Sequence, residues 1–592
     1  MTTTATSLPA KKGMSYLTED TAPGQIFTRE DLSEEHRAVA QTVDDFWARE
    51  VEPNLLAIRD KKPGVALEIV RKSAELGLTG ISIPEKFGGM EMDLASTMLV
   101  AEHIGRDASY AGWHSAHTGI GTLPILFFGT PQQKEKYLPK LVKVEMLAAY
   151  ALTEPLAGSD AMAARTRADL TPDGKHYILN GQKMWITNGG SADLFTVFAK
   201  VAGEKFTAFL VERSFAGVSS GAEEHKMGIT GSSTTAIYLD NVHVPVENVL
   251  GEVGRGHVIA FNILNLGRLK LGPAVMGSAK NILSISTRYA KQRKAFGQAI
   301  ANFGAIQHKL AEMTIRIFAT ESMVWRVVGL IDSQLAQANA RDHANSDHTT
   351  AELKAVEEYA AECSMVKVFA AEMLDYVADE GVQIHGGYGF HKDYAVERYY
   401  RDARINRLFE GTSEINRFVI TGMPLKRAAK GQGTLLEAAK DAVQNAASSK
   451  AATSHDDALV HNAKQIALLA LGLAHQKHGA DLDKQQEVIM NISDCLLEAF
   501  AMESTWLRSR KLKMGNSGKA TIAADICSVF LRDAIARIES AARTVIGACC
   551  DEAAAERYTD IIRRLATYKA VNTVALRRRI ADAVISSERY PF

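Results

Sequence analysis

Apolar positions change their spacing twice along the chain, and these changes divide it. From Ser33 to Gly129 they recur at helical steps, and "SEEHRAVAQTVDDFWAREV" (33–51) opens on a Ser with Glu soon after, the signature of a capped amphipathic helix. One stretch, "ISIPEKFGGMEMD" (81–93), interrupts this pattern: Pro84 and Gly88-Gly89 exclude a continuous helix and predict a loop packed between helices. Between Met146 and Gly251 the texture becomes β-rich. Val, Ile, Thr and aromatic residues crowd into the runs "KHYILNGQKMWITNGG" (175–190), "LFTVFAKV" (194–201), "FTAFLVERS" (206–214) and "TTAIYLDNVHVP" (234–245), while Asn180-Gly181 and Asn188-Gly189 read as hairpin turns. Helical spacing returns at Gly254. It is clearest in Val356, Ala360, Cys363, Val366, Ala370, Met373 and Val377, one face of a long bundle helix, after a polar stretch (341–352) predicted as a solvent loop. The span 421–434, with Pro and three Gly, predicts a boundary before an Ala-rich helical region that runs to Phe592. The fold expected is mostly α. Its parts are a polar, loosely ordered tail (1–30), an N-terminal helical domain (31–145), a central β domain of sheet or barrel form (146–251), a helical bundle (252–425) and a separate C-terminal helical extension (426–592).

With 592 residues the chain exceeds what one core organises, so a catalytic unit with an appended domain is expected. The composition is ordinary for a globular protein, and no run approaches the roughly 20 apolar residues of a membrane-spanning helix. A formal net charge of −1 provides no general attraction to phosphate polymers, so no nucleic-acid partner is expected. Five cysteines without C-x-x-C spacing fit reduced thiols. The N-terminus has neither an apolar h-region nor an Arg-rich amphipathic pattern, so no signal or transit peptide is read and the expected location is the cytoplasm. His114 and His117 lack a third ligand nearby and read as structural; no metal is expected.

Five segments carry polar groups suited to chemistry, each with a plainer alternative. In "YALTEPLAGSD" (150–160), Thr153, Ser159 and the backbone around Gly158 suit the edges of a heteroaromatic ring, or form an ordinary turn. In "WITNGG" (185–190), Trp185 is either a platform for a flat cofactor or a core residue. "RKAFGQ" (293–298) offers Arg293 to a pyrophosphate, or is a solvated basic turn. "QIHGGYGF" (383–390) has three glycines in four residues, which let a ligand approach the backbone, although its spacing is not that of a dinucleotide-binding fingerprint. In "FEGTSEINR" (409–417), Glu410 is a general base or a helix-start carboxylate.

In their order and spacing these segments, with "KMGITGSSTTAIYLDNVHVPVENVLG" (226–251) and "ERYYRDARINRLFEGTSEI" (397–415), resemble the acyl-CoA dehydrogenase family over residues 30 to 430. The C-terminal extension makes the resemblance strongest to the very-long-chain branch. The resemblance implies a four-helix bundle in the catalytic half, FAD as cofactor, and Glu410 as the catalytic base. In branches that place the base on the "NLGRL" helix it stands where this chain has Gly267. It further implies flavin contacts at Tyr150, Leu152, Thr153, Gly158, Ser159, Trp185, Ile186, Thr187, Thr412 and Glu414. Contacts to the flavin of a neighbouring subunit are implied for Arg293, Phe296, Gln383, Ile384, Gly386 and Gly387, hence a homodimer or dimer of dimers. Substrate contacts are implied for Ser159, Asn265, Arg268 and Gly411. The implied reaction is α,β-dehydrogenation of medium- to long-chain fatty acyl-CoA in β-oxidation, with electrons passed to an electron-transferring flavoprotein. The segment "HTGIGTLPILFFG" (117–129) keeps one small residue of that branch's acyl channel, Gly121, and has Pro124 at the second position. An acyl-CoA oxidase, a DNA-associated relative and an assembly-type member are the alternatives. The stretches "WLRSRKLKMG" (506–515) and "LRRRI" (576–580) are read either as a peripheral contact with anionic membrane or as solvated helix faces.

Overall fold

The computed structural model describes residue 8 and residues 11–341, 348–448 and 455–592. The described residues fall into two compact units. One, the sheet unit, comprises those of Ser33–Ser278 and Asp342–Glu357; the other, the bundle unit, comprises those of Met1–Leu32, Ala279–Arg341 and Glu358–Phe592.

The sheet unit begins with helices α1 (Glu34–Phe46), α2 (Leu55–Arg59), α3 (Val65–Glu75), α4 (Leu94–Ile104), α5 (Ala108–Ala116), α6 (Leu123–Phe128) and α7 (Pro131–Val142). Their starts are written in the sequence: Ser33, Asp93, Asp107 and Thr130 each accept a first-turn backbone N–H. Val43, Phe46, Val51, Ile69, Ile104 and Tyr110 form their core. The 81–93 loop closes on itself so tightly that a Cβ on Gly89 would stand 2.0 Å from the Ile83 carbonyl oxygen, which only glycine permits. A wide π-turn at His117–Gly121 follows α5.

Eight strands follow: β1 (Ala148–Ala151), β2 (Arg167–Leu170), β3 (His176–Thr187), β4 (Leu194–Val201), β5 (Lys205–Glu212), β6 (Val218–Glu223), β7 (Thr234–Pro245) and β8 (Val249–Leu250). They form one sheet in the order β6-β7-β3-β2-β4-β5-β8, with β1 pairing in parallel along β4. Phe195, Val197, Phe209, Val211, Ile237 and Val244 fill its buried face. Asn180-Gly181 is not the expected hairpin turn. It lies inside β3, where the pairing with β7 slips at Leu179/Gly181, and Gly181 at φ 157° packs against Thr166. Asn188 does turn the chain after β3, at φ 64°.

Helix α8 (Gly256–Gln292) runs through the boundary at Ser278. The hairpin β9 (Lys294–Ala295) and β10 (Gln298–Ala299) leads to α9 (Gly304–Arg341); α10 (His348–Glu358), α11 (Ala360–His385), α12 (Ala395–Ala403) and α13 (Ser413–Ala429) follow. The loop expected at 341–352 is therefore shorter: residues 348–352 are helical, and 342–347 lie outside the described residues. Helices α14 (Leu435–Gln444), α15 (Asp456–His478), α16 (Gln486–Met514), α17 (Ala520–Cys549), α18 (Glu552–Leu565) and α19 (Thr573–Ser587) complete the bundle unit, in which α16 packs on both α9 and α13. The helices beyond 426 fall in the same compact unit as the bundle.

One further expectation is corrected. The N-terminal segment is not loosely ordered from residue 11 on. Tyr16, Leu17, Ile26 and Phe27 are buried; the Tyr16 hydroxyl donates to the Leu496 carbonyl at 2.8 Å, and the Met14 N–H donates to Glu362 at 2.6 Å. The segment was misread because its apolar residues are too few and too irregular to show a period. Within the two basic stretches, several charges are paired inside the unit. Arg508 pairs with Glu30 and Glu321, Lys511 with Asp31, Arg577 with Glu312 and Asp533, and Arg579 with Asp525. Arg510, Lys513 and Arg578 of the same stretches are exposed.

Candidate active site

In the sheet unit, the strand β1 delivers the 150–159 segment. Tyr150 and Leu152 are buried, Thr153 is half-buried, and Gly158 and Ser159 are exposed. The segment is held from beneath by a buried ion pair: Lys183, fully buried on β3, donates to Glu154 at 2.7 Å and to the Leu152 carbonyl at 3.3 Å. Glu154 also accepts from the Thr166 hydroxyl at 2.6 Å and the Arg165 N–H at 2.5 Å. Burial alone would raise the Glu154 carboxyl, but Lys183 and Thr166 hold it below its usual range, while burial pushes the Lys183 amine down to about 8.

The same strand sets Trp185. Along β3 the buried positions alternate through Tyr177, Leu179 and Lys183, and strict alternation would bury residue 185. The pairing slips between Lys183 and Ile186, Trp185 takes a left-handed φ of 57°, and the alternation flips: Ile186 is buried and Trp185 is 59% exposed. Trp185 is therefore not a core residue. A bulky residue at positive φ is strained, and such strain collects at functional positions. Thr187 is half-buried beside it. Asn265 and Arg268, one turn apart on α8, are both buried, the Arg268 guanidinium donating to the Asn265 carbonyl oxygen at 2.9 Å.

In the bundle unit, Arg293 and the glycine loop come together. The Arg293 guanidinium lies 5.5 Å from the centre of the Tyr388 ring, within the 383–390 segment. Gln383, Gly386 and Gly387 are exposed and Ile384 is buried; α11 ends at His385, and a Cβ on Gly386 or Gly387 would meet open space. Phe296 and Gly297, both at positive φ, turn the β9–β10 hairpin and leave the Phe296 ring 95% exposed.

Glu410 and Gly411 have φ of 57° and 80°, a left-handed pair just before α13. Two buried donors clamp it. Asn416 Nδ2 donates to the carbonyls of Gly411 (2.8 Å), Thr412 (3.0 Å) and Glu410 (3.4 Å), and Lys367 Nζ, from α11, donates to Gly411 at 2.8 Å. Thr412 caps α13 through Ile415 N–H, Glu414 is exposed in the first turn, and Glu410 Oε2 is shielded from solvent. Asn416→Ala is expected to lower the stability of the bundle unit by about 1–3 kcal/mol, read by denaturant unfolding, because buried carbonyls lose their donor. A loss under about 0.5 kcal/mol would mean the clamp is idle.

Asn416, Lys367, Lys183, Glu154 and Tyr388 were missed as site residues. A lysine inside an apolar run was available as a signal for two of them, in "CSMVKVFAAEM" (363–373) and "GQKMWIT" (181–187). Such a residue must find a buried acceptor, although its identity depends on tertiary contact.

This architecture and its segments correspond to one family. Residues 33–145 match the acyl-CoA dehydrogenase N-terminal domain, 149–242 its middle domain and 254–422 its C-terminal domain; 462–564 match a further acyl-CoA dehydrogenase C-terminal domain. The chain belongs to the acyl-CoA dehydrogenase family and is an oxidoreductase of that family. A probable acyl-CoA dehydrogenase of Bacillus subtilis (strain 168) is 43% identical over 587 residues, 98% of either chain. The very long-chain specific mitochondrial enzyme of Homo sapiens is 36% identical, covering 81% of this chain and 76% of its own. A crystal structure of an acyl-CoA dehydrogenase complexed with FAD from Bacillus anthracis superposes with a TM-score of 0.95 at 44% identity, covering 98% of this chain and all of that one.

Proposed function

We propose that the protein catalyses α,β-dehydrogenation of medium- to long-chain fatty acyl-CoA to trans-2-enoyl-CoA in β-oxidation, with Glu410 as base. The observation that carries this reading is end-to-end similarity to an FAD-complexed acyl-CoA dehydrogenase. The cofactor is FAD. The residues fit it: Trp185 is turned outward on a strained bulge, Gly158 and Ser159 are exposed on a braced segment, and Gly386-Gly387 lie open beside the Arg293–Tyr388 pair. Tyr150 to Ser159, Trp185 to Thr187, Thr412 and Glu414 hold it, and Arg293, Phe296 and Gln383 to Gly387 reach the FAD of a second copy in a homodimer. Two aromatic rings, Phe296 and Phe390, at least 90% exposed, favour such a partner.

Glu410 removes the C2 proton of the thioester, and its backbone N–H stabilises the developing enolate oxygen. Asn265, Arg268, Ser159 and Gly411 position the substrate. When bound, FAD would supply the acceptor for the hydride leaving C3, and an electron-transferring flavoprotein is the onward electron acceptor proposed. The clamp of Asn416 and Lys367 keeps the base in one place, which is positioning work for a rigid frame.

Anaerobic addition of fatty acyl-CoAs of graded length to the purified yellow protein should bleach the flavin, with the strongest bleaching at medium to long chains. No bleaching with any acyl-CoA would refute the reading. Stoichiometric peroxide on admitting air under turnover would mark an oxidase instead.

A further inference from the structure

The contacts that fix Glu410 do not end at Asn416 and Lys367. Arg417, the residue after Asn416 on α13, is joined to two other helices of the bundle unit. Its Nε donates to Asp494 on α16 at 2.7 Å, and its Nη1 donates to Glu372 on α11 at 2.9 Å. Its carbonyl accepts the Ser493 hydroxyl of α16 at 2.6 Å, and the Thr421 hydroxyl, one turn further along α13, lies 2.7 Å from the same Ser493 oxygen. Ser493 and Thr421 are buried, and the Arg417 side chain is 12% exposed. Two adjacent residues of α16 thus hold both the side chain and the backbone of one residue of α13.

Labour is divided between neighbouring positions. Asn416, fully buried, reaches back to the carbonyls of Glu410, Gly411 and Thr412, while Arg417 ties the same turn outward to α11 and α16. A hydrogen-bonded helix moves as a rod, so a shift of α13 at Arg417 carries Asn416 with it and, through Asn416, the left-handed pair that bears the base. Helix α11 fixes one side of this turn through Lys367 and Glu372; α16 fixes the other. The two ion pairs are modest anchors by themselves, because Asp494 and Glu372 are 38% and 42% exposed and surface pairs contribute about 0–1 kcal/mol. The Ser493 hydroxyl is fully buried, so water does not replace its bond when it is lost.

We propose that Ser493 and Asp494 are positioning residues for the reaction, so that the C-terminal extension serves catalysis by holding, through Arg417, the helix that carries the clamp on Glu410. The inference rests on the acyl-CoA reading above and gives α16 a task beyond packing. Proton removal is sensitive to such support, since a displacement of about 1 Å at a reacting group costs up to about 10²-fold in rate.

The test uses the full-length holoenzyme carrying Ser493→Ala and Asp494→Asn together. Flavin reduction by saturating acyl-CoA should slow about 10- to 100-fold, while the Kd for trans-2-enoyl-CoA, read from the perturbed flavin spectrum, stays within about threefold of the parent. The Ile415 and Asn416 amides, bonded to Thr412 at 3.2 and 3.0 Å, should exchange their hydrogens about tenfold faster. Ser493→Ala alone should give smaller shifts in the same directions, and it carries both readouts if the double variant fails to fold. The control is Glu498→Gln on the same helix, which breaks the pair with Arg537 of α17 at 2.6 and 2.9 Å and should move neither readout. Equal effects from Glu498→Gln, or parental reduction and exchange in the double variant, would overturn the positioning role. A wild-type flavin that no acyl-CoA bleaches would overturn the acyl-CoA reading, and the exchange comparison would still decide whether α16 holds this turn.

Discussion

Glu410→Gln should slow reduction of the bound flavin by acyl-CoA roughly 10³- to 10⁴-fold, while the variant still purifies yellow and unfolds like the parent. Glutamine preserves the size and the backbone demand of the side chain and removes only its capacity to accept a proton. The local structure makes this a clean experiment. The left-handed backbone at Glu410 and Gly411 is held from outside by Asn416 and Lys367, which donate to its carbonyls. Changing the carboxylate to an amide leaves that clamp in place. Rapid mixing under anaerobic conditions isolates the reductive half-reaction; a rate within about tenfold of the parent would remove Glu410 from the role of base.

Arg508→Met should destabilise the bundle unit by about 3–5 kcal/mol, the usual cost of breaking a buried ion pair from one side. Arg508 is fully buried and pairs with Glu321 at 2.8 Å and with Glu30 at 2.6 Å. Glu321, also fully buried, is shared with Lys280, with Arg29 at 3.5 Å and with the Tyr590 hydroxyl at 2.8 Å. Burial would raise its carboxyl, yet Lys280, Arg508 and Arg29 overcome this and hold it well below 4.5. A carboxyl whose folded value lies below its unfolded one stabilises fully above about pH 4.5, and that contribution is lost as the pH falls further. The wild type should therefore lose stability below about pH 4.5, and Glu321→Gln should flatten that loss while being less stable at pH 7. Denaturant titrations across this range decide it; a penalty under about 1 kcal/mol for Arg508→Met would mean the network is solvated or redundant.

What the sequence made legible follows from what is local. The run "LFTVFAKV" is β4 residue for residue, because strand propensity and a continuous apolar run need no partner to be recognised. Glu410 stood out once its neighbours in order were considered. Trp185 was ambiguous because its exposure depends on a pairing slip against β7, and register is a property of two strands. Asn180-Gly181 has the composition of a turn, but β7 pairs across it and keeps it in the strand. The Lys183–Glu154 pair and the Asn416 clamp arise from residues brought together by the fold, and only their unfavourable settings in apolar runs hint at them. The carboxylate partners within the basic stretches were hidden for the same reason: they lie up to 480 positions away.

The N-terminal segment places a constraint on how the molecule is made. Its contacts join Tyr16 to Leu496 and Glu30 to Arg508, so these residues bind partners made 480 and 478 positions later. At elongation speeds of about 5–20 residues per second, those partners emerge roughly 25 to 100 s later. During that interval residues 33 to 278 have all they need to fold except a short later segment, while Tyr16 waits for Leu496 and Phe500. The nascent chain thus carries Tyr16 without its seat while residues 33 to 495 are made, and a product truncated before residue 496 leaves that seat unbuilt.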